Sequence, residues 1–182
     1  MKKDLIEMLQ KYSYRKGKFT LSSGSESEHY VNCKPVTLMP KGLDLVSMMM
    51  LDHIDDNVDA VAGLTLGADP LVSGVIIQSN LWNKRLESGL IIRKEPKGHG
   101  TASQIEGPLP PSGSRVAVLE DVTTTGGSAM KAVNVLRDTG YKVDCVVTIV
   151  DRKEGAEELF KENGIKLRSL VTVDDLDDGS VH

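Results

Sequence analysis

The sequence predicts an α/β fold with a mostly parallel central sheet flanked by helices. Two observations carry that expectation. Short apolar, β-prone runs at 59–64, 89–93, 115–119, 143–150 and 167–173 alternate with stretches of helical apolar spacing. The runs RVAVL at 115–119 and VDCVVTIV at 143–150 are dominated by Val, Leu and Ile with few polar residues, the pattern of strands covered on both faces. On such sheets ligands bind at the carboxyl ends of the strands.

The elements follow in order. Leu5, Ile6, Met8 and Leu9 form one helical face within 2–12, and the extended stretch from Phe19, broken by the polar turn SSGSESE, predicts a hairpin. After Pro40 and Gly42, the residues Leu43, Val46, Met49, Met50 and Ile54 repeat at helical spacing and lead into the strand 59–64. Met48, Met49 and Met50 are expected to pack in the core. Pro70 starts a helix to about Asn80, and 89–93 is the next strand. Residues 94–113 are rich in Gly, Pro and charge with no apolar period, which predicts a long, mobile functional loop. Strand 115–119 ends in two acids, and a helix over 129–137 is closed by Gly140. Strand 143–150, a helix over 154–162 ending at Gly164, strand 167–173 and an acidic tail complete the chain. With 182 residues and no dividing linker, a single domain is expected.

Charge and cysteine usage narrow the function classes. Twenty-two basic against 26 acidic residues give a net charge of −4, so no sequence-wide basic footprint for nucleic acid exists and any phosphate site must be local. Cys33 and Cys145 stand far apart, outside any CxxC or Cys/His cluster, which fits a reducing cytoplasm and offers no zinc site. The opening MKKDLIEMLQ interrupts its apolar residues with charge, and no run resembles a membrane span. His29, His53 and His182 have no motif context.

The segment EDVTTTGGS, Glu120 to Ser128, carries the most chemistry. It lies between a strand and a helix, so backbone N–H groups from Val122 onward and the hydroxyls of Thr123, Thr124, Thr125 and Ser128 can converge on an anion, while Gly126 and Gly127 allow close approach. The helix start adds a positive field suited to a phosphate. Glu120 and Asp121 would oppose a phosphate, so they must face something else; sugar hydroxyls or a magnesium hydration shell qualify. The combination reads as ribose plus phosphate, whereas an ordinary Ser/Thr-capped helix is the plainer alternative. Neither a Walker lysine nor a GxGxxG fingerprint is present.

Two acids followed by a Thr/Gly-rich turn resemble the phosphoribosyl pyrophosphate (PRPP) signature of type I phosphoribosyltransferases. That resemblance implies the type I phosphoribosyltransferase fold, with Glu120 and Asp121 on the ribose hydroxyls and Thr123 to Ser128 on the 5-phosphate. The stretch RKEPKGHG places Arg93, Lys94, Lys97 and His99 close together with Gly98 and Gly100 between and beyond them. Alone it would also suit a solvated charged loop. Beside EDVTTTGGS it resembles the catalytic loop of orotate phosphoribosyltransferases, which closes over the site. The resemblance implies PRPP contacts from Arg93, Lys94, Lys97 and His99, with the loop shared across a homodimer. Pyrophosphate departure builds negative charge on its oxygens, so cations placed there lower the barrier, and closure excludes water. Lys97 is the expected main electrostatic catalyst, assisted by Lys94 and His99, with Asp121 steadying the ribosyl centre. Mg2+ is expected to be held by PRPP oxygens and water, with no protein metal site.

Arg152, after a strand end, suits a bidentate pair with a carboxylated base such as orotate, and equally a surface salt bridge. The resemblance adds Thr124, Tyr30 and Val31 to the orotate site and makes residues 1–40 a small N-terminal hood. It also exposes two departures: Ser22 stands where family members often carry a lysine, and Leu66-Gly67 in GLTLGADP replaces a lysine turn in the pyrophosphate loop. The expected activity is phosphoribosyl transfer from PRPP to orotate in pyrimidine (UMP) synthesis. Transfer to another base, and a non-catalytic PRPP-sensing regulator, are the alternatives.

Overall fold

A computed structural model describes residues 1–20, 26–84, 86–96 and 104–177. Helix α1 (Lys2–Tyr12) buries Leu5 and Leu9, and strands β1 (Tyr14–Thr20) and β2 (Glu26–Val31) pair as an antiparallel hairpin. Then come α2 (Lys34–Thr37), α3 (Pro40–Asp52), β3 (Ala60–Leu64), α4 (Asp69–Leu81) and β4 (Ser88–Ile92). The chain continues through β5 (Ile105–Glu106), β6 (Val116–Thr123), α5 (Gly127–Asp138), β7 (Cys145–Asp151), α6 (Ala156–Glu162), β8 (Lys166–Thr172) and α7 (Val173–Asp177).

The main sheet has the order β5-β4-β3-β6-β7-β8. All its pairings are parallel except the short β4–β5 edge. Alternate side chains explain the two covered faces. Val61, Ala117, Leu119, Val147 and Ile149 pack with α1, α3 and α4. Ala60, Ala62, Val116, Val118 and Val146 pack with α5 and α6 around Phe160. Every residue of β7 is buried, including the polar Thr148 and Asp151. Met49 and Met50 are core residues.

The strand order doubles back between β3 and β6, which is the position where open α/β sheets hold ligands. The geometry there is explicit. Strand β6 pairs with β3 only as far as Gly63↔Leu119, whereas its β7 pairing runs on to Thr123↔Asp151. Residues Glu120 to Thr123 thus line a crevice on their β3 side.

Four details differ from the sequence expectation. The segment 94–113 carries strand β5, joined to β4 through Ile91↔Glu106 and Ile92↔Ile105. Strand β6 extends four residues beyond Leu119, so both acids belong to the strand. The short helix α2 has no counterpart in the periodicity. The acidic tail begins as helix α7, whose start is closed by Thr172 and Asp175: Thr172 N–H donates to Asp175 Oδ2 at 2.8 Å, and Asp175 N–H reaches Thr172 Oγ1 at 3.4 Å.

Candidate active site

The Thr/Gly turn forms a cavity of about 270 Å³ lined by Glu120, Thr123, Thr124, Thr125, Ser128 and Lys131. Helix α5 starts on Gly126 in the left-handed conformation, φ +85°, with no side-chain cap. The Ser/Thr-capped helix weighed above is therefore not what forms; the first-turn N–H groups are left for a ligand. A Cβ on Gly126 would stand 3.0 Å from the Phe160 ring, so packing and backbone conformation both call for glycine. The Thr123 hydroxyl is buried without a partner.

The two acids have unlike surroundings. Glu120 is buried and its Oε2 has no hydrogen-bond partner among the described residues. Burial, reinforced by the neighbouring Asp121 charge, pushes its carboxyl up to about 8. Asp121 accepts the Val122 N–H on Oδ1 at 3.0 Å and pairs with Lys34 through Oδ2 at 3.4 Å. Across the crevice, the backbone of Gly67 closes on the same carboxylate, for a Cβ there would lie 2.7–2.8 Å from all three carboxyl atoms. Leu66-Gly67 thus brings bare backbone to the acid where a lysine turn was the family expectation. Gly67→Ala is expected to displace Asp121 and lower turnover at least tenfold while leaving the melting temperature within about 2 °C, as surface-loop changes do; steady-state kinetics with a thermal melt checks both.

Arg93 and Lys94 reach the site from the end of β4. They line a second cavity, about 590 Å³, that also includes Ser128 and Lys131 of the cradle. Arg93 pairs with Glu106 at 3.3 Å, and its N–H donates to the Gln104 carbonyl at 2.8 Å. Lys97 and His99 lie outside the described residues, as does Ser22.

Arg152 is 7% exposed, so it is a buried arginine and not a surface one. It donates to Ser27 Oγ and pairs with Glu154, each at 2.7 Å, while its Nε has no partner. The Ser27 bond ties β2 to the carboxyl end of β7. On β2, Val31 shares the inward face with Ser27, whereas Tyr30 lies on the outer face, 42% exposed, with its ring 5.5 Å from that of Phe19. Gly67 was read only as part of the pyrophosphate loop, and Ser27, Lys34 and Lys131 were missed by sequence reasoning. Of these only Lys131 carried a local signal, standing one helical turn beyond Ser128.

No protein-family model matches the chain. Among curated proteins, an orotate phosphoribosyltransferase of Thermosynechococcus vestitus is 52% identical over 177 residues, covering 97% of this chain and 93% of the relative. The chain belongs to the orotate phosphoribosyltransferases. Solved orotate phosphoribosyltransferases share its architecture. The Aeropyrum pernix structure matches with a TM-score of 0.80 at 34% identity, covering 96% of both chains. A Mycobacterium tuberculosis structure, described as a complex with PRPP, matches with a TM-score of 0.76 at 33% identity over 97% of this chain and 98% of that one.

Proposed function

We propose that this orotate phosphoribosyltransferase chain transfers the phosphoribosyl group of PRPP to orotate, giving orotidine 5'-monophosphate and pyrophosphate in de novo UMP synthesis. The observation that carries the reading is the meeting, at the carboxyl ends of β6 and β7, of an uncapped Thr/Gly cradle, two adjacent acids and a buried arginine. The cradle from Thr123 to Ser128 takes the 5-phosphate. Glu120 and Asp121 take the ribose hydroxyls, and Arg152 with Thr124 takes the orotate carboxylate, with the backbone around Tyr30 and Val31 beside the ring.

In the reaction the C1–O bond to pyrophosphate breaks, its electron pair leaving with the pyrophosphate, as the C1–N1 bond to the base forms and the N1 proton of orotate is released. Positive charge grows on the ribosyl carbon, where Asp121 opposes it, and negative charge grows on the leaving group, where Arg93, Lys94, Lys97 and His99 are assigned. Mg2+, carried in by PRPP oxygens and water, would supply further neutralisation of the pyrophosphate. The unpartnered Oε2 of Glu120 beside the Asp121 carboxylate suits its hydration shell as well as a sugar hydroxyl, and no group of three ligating side chains occurs among the described residues.

The 182 residues are read as one catalytic unit, with 1–40 as hood and 94–113 as catalytic loop. Two copies sharing that loop form the working enzyme; the exposed Ile77, Leu81 and Trp82 on and just after α4 offer an apolar face for a partner. No helix among the described residues is long and apolar enough to cross a membrane. We assign the enzyme to the cytoplasm, in keeping with two free, buried cysteines.

The test is pyrophosphate release from PRPP and Mg2+ with orotate, uracil, adenine, guanine and xanthine in turn. Turnover with orotate alone is expected. Turnover with uracil or a purine and none with orotate would replace this reading with another base specificity, and PRPP binding without any turnover would favour a regulator.

A further inference from the structure

Lys34 belongs to none of the motifs that mark the site, and the reaction above gives it no task. Its side chain is 42% exposed and its ammonium stands 3.4 Å from Asp121 Oδ2. Its own N–H donates to Asn32 Oδ1 at 3.2 Å, which sets the start of α2. The other groups around the acid pair supply no second ion pair to Asp121 among the described residues. The Gly67 backbone is uncharged, and Cys33, the residue just before α2, donates its thiol to the Asp121 carbonyl at 3.6 Å. Burial holds that thiol protonated, well above its ordinary value.

We propose that Lys34 is a positioning residue for the acid pair: it fixes the negative charge on Asp121 and leaves the pair's proton on Glu120. Two adjacent carboxyls in a buried site resist double ionisation. Asp121 has a cation and a backbone N–H, whereas Glu120 has a buried, unpartnered oxygen. The elevated Glu120 carboxyl agrees with this division: burial and the Asp121 charge raise it, and the nearby Lys34 cation offsets them only in part. A neutral Glu120 donates a hydrogen bond while Asp121 accepts one, so neighbouring ribose hydroxyls meet groups of opposite polarity. The charge on Asp121 is then available when the ribosyl centre becomes cationic. The inference rests on the ribose reading of the two acids.

Lys34→Met, Lys34→Gln and Lys34→Arg test it through the pH dependence of kcat at saturating substrates. A carboxylate without its cation is easier to protonate. In the Met and Gln variants the acid limb is expected to move to higher pH, so that kcat falls more at the acid end of the profile than at about pH 8.5. The orotate KM stays unchanged, and Lys34→Arg restores the limb. An acid limb that stays in place, or a loss of equal size at every pH, would overturn the proposal. Calorimetric titration with ribose 5-phosphate separates it from its foundation: failure of the wild-type protein to bind that ligand would overturn the ribose reading itself.

Discussion

Asp121→Asn is expected to lower kcat about a thousandfold, on the order of 4 kcal/mol of transition-state stabilisation, with a much smaller change in the KM for PRPP. The substitution is nearly isosteric. Asparagine keeps an oxygen for the Val122 N–H and fits against Gly67, so what disappears is the charge facing the ribosyl carbon. Glu120→Gln should behave differently, losing only about tenfold, because a group that already carries a proton surrenders little by becoming an amide. The two variants also separate in stability. Glu120 titrates near 4.5 when unfolded and at about 8 when folded, so the native state holds a proton that the unfolded chain releases. Its contribution is fully present below about 4.5 and is lost as pH rises through about 8. The stability of Glu120→Gln relative to wild type should therefore increase across that window, measured by urea unfolding at several pH values. A wild-type kcat in Asp121→Asn would remove Asp121 from the chemistry.

Arg152→Ala is expected to raise the KM for orotate roughly a hundredfold, the scale of one buried charge-assisted pair, while the KM for PRPP changes little. Arg152→Lys should recover only a small part, since an ammonium cannot reproduce a planar fork. In the free protein the guanidinium is already spent on Ser27 and Glu154, each at 2.7 Å. Both variants thus release the hairpin from the end of β7, and limited proteolysis of β1–β2 should register that release even where base binding is not assayed. If orotate KM stays at its wild-type value in both variants, the carboxylate has another partner.

The parts of this molecule that were legible in its sequence are those whose causes are local. The β-branched run at 143–150 pointed to a covered strand, and the Gly126-Gly127 turn announced a close backbone approach before a helix. Helix α7 was not read, because an acidic composition pointed to a tail; the Thr172/Asp175 capping pair is the local signal that marks its start. Strand β5, two residues long, is created by the edge of β4 and has no period to detect. The extension of β6 through Glu120 and Asp121 opposes strand propensity; register with Thr148, Val150 and Asp151 of β7 enforces it. The contacts that give the acids unlike roles were out of reach, because Lys34 meets Asp121 across 87 positions of chain and Gly67 contributes only the lack of a side chain.

The placement of the acids on β6 has a consequence for how the site opens. Strand β6 is clasped by β7 along its length and by β3 up to Leu119, so its amides are released only when the middle of the sheet comes apart. Cradle and hairpin hang from the ends of strands and open at lower free energy. The acids proposed to face the sugar sit on a strand held by β7 to its end, whereas the hairpin residues proposed to lie beside the base belong to a separate two-stranded sheet. Binding can reshape those outer contacts without spending free energy on re-aiming the carboxylates.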